Sequence, residues 1–218
     1  MTNQWSDSIA ARPCKIRKDG APRVLERDGK PEQKGWAPRP AYVYNENGQR
    51  VRKSTSPGAF TEFFYGPNGL VQSVYNGSGW PAEYVFAGSH LIADYTNGTT
   101  DFVLTDHLGS TRVMTGVNQA VLSNMDYMPF GQQIAGGSAT TDKFTGQEYD
   151  SESGLYQFPF RYFESPMARF MTADPAGLAA ADPTNPQTWN RYAYVINNPV
   201  LLTDPTGLRP PCPVNPNC

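Results

Sequence analysis

Tyr42-Val43-Tyr44-Asn45-Glu46-Asn47-Gly48-Gln49-Arg50-Val51-Arg52-Lys53 is the stretch on which the fold turns. Aromatics at i and i+2 place two rings on one face of an extended strand. Asn45-Glu46-Asn47-Gly48 carries the residues that reverse a chain, and Gln49–Lys53 returns it as a second strand. The same unit recurs with Phe63-Phe64-Tyr65 before Pro67-Asn68-Gly69 and Leu70–Tyr75, and again with Tyr84-Val85-Phe86. Its starts, Tyr42, Phe63 and Tyr84, are spaced by 21 residues, so this is a repeat of β-hairpins. One hairpin cannot bury its aromatic face alone, and successive units must pair laterally into a continuing sheet.

Composition agrees with an all-β chain. Gly and Pro contribute 20 residues each to the 218, Tyr and Phe contribute 12 and 11, and only 17% of residues are charged. That mixture favours short strands joined by tight turns. The reading is consecutive β-hairpins forming an open curved sheet, ending in a loop-rich region with short helical turns.

Charge divides the chain unevenly. Residues 1–40 carry nine Lys or Arg against five acids, whereas the remainder carries nine against fifteen. The acidic body argues against a nucleic-acid-binding surface, and the proline-punctuated 1–40 segment reads as an irregular basic linker. No apolar run has the length of a membrane span, and no signal peptide is recognisable at the start. Cys14, Cys212 and Cys218 are too few and too terminal to frame a fold, and His90 and His107 lack partners at ligand spacing, so neither a metal nor a cofactor is expected.

The last third contains two acidic turns, Asp174-Pro175-Ala176-Gly177 and Asp204-Pro205-Thr206-Gly207. Asp at i, Pro at i+1 and Gly at i+3 is the preferred recipe of a type I turn, and Gly177 and Gly207 are its closing residues. Asp182-Pro183 lacks the closing Gly and reads as a surface loop.

The hairpin unit resembles the tyrosine–aspartate (YD) repeat of Rhs proteins. The rest resembles the Rhs repeat-associated core domain through an ordered series of motifs. These are Asp106-His107-Leu108-Gly109-Ser110-Thr111-Arg112, Tyr127-Met128-Pro129-Phe130-Gly131, Phe144-Thr145-Gly146-Gln147-Glu148, Gly154-Leu155-Tyr156, Arg161-Tyr162, Arg169-Phe170, Asn190-Arg191-Tyr192-Ala193-Tyr194 and Asn197-Asn198-Pro199, with the two acidic turns in place among them. Rhs effectors and Tc toxin C subunits share this order. The resemblance implies YD-type hairpins over 41–104, a core domain over 105–208 and a flexible tail over 209–218. It further implies that the chain is the C-terminal plug fragment of a larger polymorphic toxin shell, whose partners are the remainder of that shell or an encapsulated C-terminal toxin. The parent is then expected to be secreted or on the cell surface.

What the resemblance implies about chemistry is at most a single-turnover aspartic autopeptidase. By position, Asp174 and Asp204 are its acids, Arg161 its assisting cation, and Leu208–Arg209 the bond cut. Two carboxylates that share one proton suit peptide hydrolysis, because the ionised one activates water while the protonated one polarises the carbonyl. The alternative is a non-enzymatic structural or cell-surface β module, or a decayed remnant, with no cleavage, in which the acidic turns only hold the chain. Ala168 stands where the family has Gly, a substitution that strains the backbone if the position needs φ > 0.

Overall fold

A computed structural model describes residues 40–208 except Pro57 and Ser138. The basic 1–40 segment, apart from Pro40, the tail 209–218, all three cysteines and Arg209 lie outside the described residues. Nine strands form one antiparallel sheet in strict chain order: β1 (Ala41–Tyr44), β2 (Arg50–Ser56), β3 (Ala59–Tyr65), β4 (Val71–Tyr75), β5 (Ala82–Ala87), β6 (His90–Thr96), β7 (Thr99–Thr105), β8 (Thr111–Gly116) and β9 (Val121–Asn124). The sheet is open, and the expected succession of hairpins is what forms it. It runs on past residue 104 through two further strands.

The repeat sets the inner face. Phe63 pairs with Val74, which pairs with Ala82, and all three are buried together. Tyr84 packs against this cluster and against a second one of Leu91, Val103, Met114 and Met125. The turns follow their residues: Asn45 Oδ1 accepts from the Asn47 and Gln49 amides, and Gly48 closes the loop at φ 77°.

After the two-stranded ribbon of β10 (Asp126–Tyr127) and β11 (Gln133–Ala135), a second meander forms from β12 (Glu148–Asp150), β13 (Leu155–Gln157), β14 (Tyr162–Glu164) and β15 (Arg169–Phe170). Its core is almost wholly aromatic, with Phe144, Tyr156, Phe158, Phe163, Phe170 and Tyr194 in mutual ring contact. Short 3-10 turns at Phe144–Gly146, Gly177–Ala180, Pro186–Trp189 and Val195–Asn197 complete the loop-rich half.

Ala168 closes the β14–β15 connection with its amide donating to Ser165 O at 3.1 Å and φ at 56°. A Cβ in the left-handed region costs about 1–2 kcal/mol, part of which glycine returns through its greater freedom in the unfolded chain. Ala168→Gly is therefore expected to raise stability by about 1 kcal/mol. A urea midpoint unchanged or lowered would show that this turn carries no such strain.

Candidate functional site

Three predicted site residues converge beneath the second meander. Arg161 immediately precedes β14, and its guanidinium lies over the Phe170 ring of β15, 3.7 Å from the centroid. From there Nη2 reaches Asp174 Oδ2 at 3.3 Å and Asp204 Oδ2 at 3.5 Å. One nitrogen thus sits against both carboxylates. All three side chains are buried, with exposures of 3%, 8% and 1%.

Backbone groups fix the rest of the guanidinium. Nε donates to Gly207 O, and Nη1 donates to Arg191 O at 3.1 Å. The Arg191 carbonyl also accepts from the Asp174 amide at 2.9 Å, so one peptide group holds both an acid and the cation. The Asn190–Tyr194 motif names this stretch, but a carbonyl has no signature in a side-chain pattern. Phe170 was likewise visible only as part of a motif, not as the surface on which Arg161 rests.

The acidic turns behave as turns as well. Asp174 Oδ1 accepts from the Ala176 amide at 2.9 Å, and Gly177 N donates back to Asp174 O. Asp204 Oδ1 accepts from the amides of Thr206, Gly207 and Leu208 at 3.3, 2.8 and 3.2 Å. Each acid therefore spends one oxygen on its own turn and points the other at Arg161. The amide of Leu208 is anchored directly on Asp204, while Arg209 lies outside the described residues.

Electrostatics follow from burial. Removing Asp204 from water pushes its carboxyl up, and the Gly207 amide, the Thr206 hydroxyl and Arg161 oppose without cancelling that effect. Burial also lowers Arg161, against the pull of Asp174 and Asp204. One cation against two buried acids leaves an excess negative charge, which a proton on Asp204 removes.

Gly207 is the tightest point of the turn, at φ 79°. A Cβ there would lie 3.0 Å from Phe158 Cβ and 3.5 Å from the Arg161 backbone N. Gly207→Ala is expected to cost about 1–2 kcal/mol from conformation alone. It would also move the carbonyl that Arg161 holds. A thermal midpoint equal to that of the parent would remove Gly207 from the positioning of Arg161. Gly177, at φ 61°, has room for a Cβ, with Arg191 Nη1 at 3.8 Å.

Other polar motifs have plain structural partners. His107 Nε2 lies 3.0 Å from Val200 O, and exposed Asp182 accepts from the Thr184 amide and hydroxyl within its own loop. A cavity of about 570 Å³ runs between the inner face of the sheet and the loop-rich half, reaching Thr203 and Pro205 beside the Asp204 turn.

A family profile described as Teneurin YD-shell matches residues 39–200. The chain is 42% identical over 66 residues to toxin protein Tse5 of Pseudomonas aeruginosa, a match covering 30% of this chain and 4% of Tse5. It is 32% identical over 129 residues to salivary gland surface protein 1 of Aedes aegypti, covering 57% of this chain and 4% of that protein. Among solved structures, the Photorhabdus luminescens Tc holotoxin pore superimposes with a TM-score of 0.60 at 23% identity, over 81% of this chain and 9% of that one, and shares its fold. The chain thus spans only a small part of the curated relatives it matches. The hairpin sheet, the ordered motifs and the profile match over most of the chain agree: this is a Rhs/YD-repeat protein, and it belongs to the Teneurin YD-shell family.

Proposed function

We propose that the chain is the C-terminal core, or plug, fragment of a Rhs-type toxin shell and that it cuts itself once after Leu208. The observation that carries this reading is the single buried Arg161 nitrogen placed against both Asp174 and Asp204, with Leu208 N held on Asp204. In this reading Asp174 takes a proton from a water molecule, the resulting hydroxide adds to the Leu208 carbonyl, and Asp204 supplies the proton that neutralises the oxyanion. Collapse breaks the C–N bond as Asp174 passes its proton to the departing nitrogen and a hydroxyl of the tetrahedral diol returns one to Asp204, leaving a carboxyl on Leu208 and an amine on Arg209. Because the substrate is the chain's own continuation, effective concentration replaces binding affinity. Hairpins over 41–104 belong in this picture to the shell wall, and 105–208 to the plug. The similarity to a toxin protein, Tse5, and to a Tc holotoxin pore supports the partner class: the remainder of a shell, or a toxin following the cut.

The test is intact mass of the full chain with a reporter domain fused after Cys218, beside an Asp174→Asn variant. Reporter release at Leu208–Arg209 from the parent but not the variant supports the autopeptidase. An uncut parent favours a second reading, that of a structural module, for which the three amide hydrogen bonds on Asp204 Oδ1 also speak, since they are what a turn alone requires.

A further inference from the structure

Besides the acids of the two turns, four carboxylates meet where the inner face of the sheet touches residues 140–150. Asp94 of β6 is 2% exposed and its Oδ1 has no hydrogen-bond partner. Its cross-strand neighbours are Tyr84 on β5 and Asp101 on β7, so two acids stand directly opposite each other in the ladder. Asp142 lies opposite Glu148 in an antiparallel bridge and lines the large cavity together with Tyr84 and Glu148. Within the group only Glu148 has cationic partners, and no ion pair to Asp94 or Asp142 occurs among the described residues. Arg50 pairs with Glu148 and Asp150, Lys53 with Glu148, Asp150 and Glu152, and Lys143 donates to Gln133.

We infer that this junction is a proton-operated latch, closed when Asp94 and Asp142 are neutral and loosened when they ionise. A buried carboxylate without a counterion is held in place only at large cost, whereas a neutral acid is not. The latch has defined hasps: Thr111 Oγ1 donates to Asp142 O at 2.7 Å, the Thr111 amide to Lys143 O at 3.0 Å, and the Tyr149 amide to Thr141 O at 2.8 Å. Ionisation puts like charges on the sheet and on the 140–150 segment that the two Thr111 bonds join, and sets Asp142 against Glu148 across the bridge that the Tyr149–Thr141 bond closes.

The electrostatics run the same way. Burial pushes Asp94 up to about 6, with Asp101 adding to the effect and Thr96 opposing it. Burial pushes Asp142 up to about 7, with Glu148 and Asp94 adding. A carboxyl whose folded pKa lies above its unfolded value gives stability that is complete below the unfolded value, near 3.8, and is lost as pH rises through 6 and 7. Acid therefore tightens this junction, opposite to the effect of acid on a paired carboxylate. The inference does not depend on self-cleavage.

Amide hydrogen exchange of the full chain, corrected for intrinsic rates, tests it. Protection at Thr111 and Tyr149 is expected to be about tenfold or more higher at pH 5.5 than at pH 8. In the Asp94→Asn/Asp142→Asn double variant, whose amides mimic the neutral acids, the two values should agree within about twofold. Equal protection in the parent, or an undiminished difference in the variant, overturns the latch. Should the variant not fold, carboxyl carbon titration of the parent decides instead: both groups titrating well above pH 5 uphold the latch, and ordinary values near 4 overturn it.

Discussion

Replacing Arg50 by alanine is expected to lower the stability of the fold by about 3–5 kcal/mol. The Arg50 side chain has no exposed surface. Nη1 lies 2.5 Å from Asp150 Oδ2, itself fully buried, and Nη2 lies 2.8 Å from Glu148 Oε2. The guanidinium also faces the Phe63 and Tyr42 rings, at 4.8 and 5.2 Å from their centroids. Burial alone lowers the pKa of Arg50, yet Glu148 and Asp150 together hold it above the ordinary range. Its removal leaves Lys53 to serve Glu148, Asp150 and Glu152 from a single ammonium. Since a domain has about 5–15 kcal/mol in total, that loss is a large fraction of the whole.

Arg52 is the control. Two residues along the same strand, it makes a half-exposed pair with Glu62 at 3.0 Å on the opposite face. Arg52→Ala is expected to cost less than about 1 kcal/mol. Urea unfolding of both variants measures the difference. An Arg50→Ala loss no larger than that of Arg52→Ala would mean that water or Lys53 compensates the orphaned acids. The sheet would then not be clamped to the second meander through this residue.

The contrast between these two arginines marks what can be read from the chain alone. Both occur in one hairpin strand and look alike in sequence. The 21-residue spacing predicts that Tyr42, Phe63 and Tyr84 share a face, but strict alternation would put Arg50 and Arg52 together; the register shift in which Tyr44 pairs with Arg50 and Val43 with Arg52 is what turns Arg50 inward and Arg52 outward. Nothing local reveals that the counterions of Arg50 lie 98 and 100 residues away on β12. Asp94 and Asp142 were not singled out for the same reason, since their proximity is a product of tertiary packing. The acidic turns were legible because Asp-Pro-x-Gly is a local device, with the capping bonds found on both. Their meeting at Arg161 depends on Phe170 supporting the guanidinium and on one carbonyl of Arg191, which only the fold assembles.

If the proposed cleavage takes place, Asp174→Asn is expected to slow it by about 10²–10⁴-fold, the range associated with loss of one acid–base group. Asparagine keeps the geometry: its Oδ1 still accepts from the Ala176 amide, so the turn is retained while the titratable group is lost. Asp204→Asn preserves the Thr206, Gly207 and Leu208 caps by the same logic and should be as severe. Because the two acids act as a unit, the double variant should be little slower than either single one. Unfolding midpoints close to that of the parent would separate lost chemistry from lost structure. The pH profile adds an independent readout. Burial raises the Asp204 carboxyl, so its protonated form persists above the ordinary range and then disappears as pH increases. Cleavage should therefore fall toward alkaline pH through that titration. Release of the reporter from Asp174→Asn at a rate within about tenfold of the parent would exclude Asp174 as the base and leave the pair as two turn caps sharing a buried arginine.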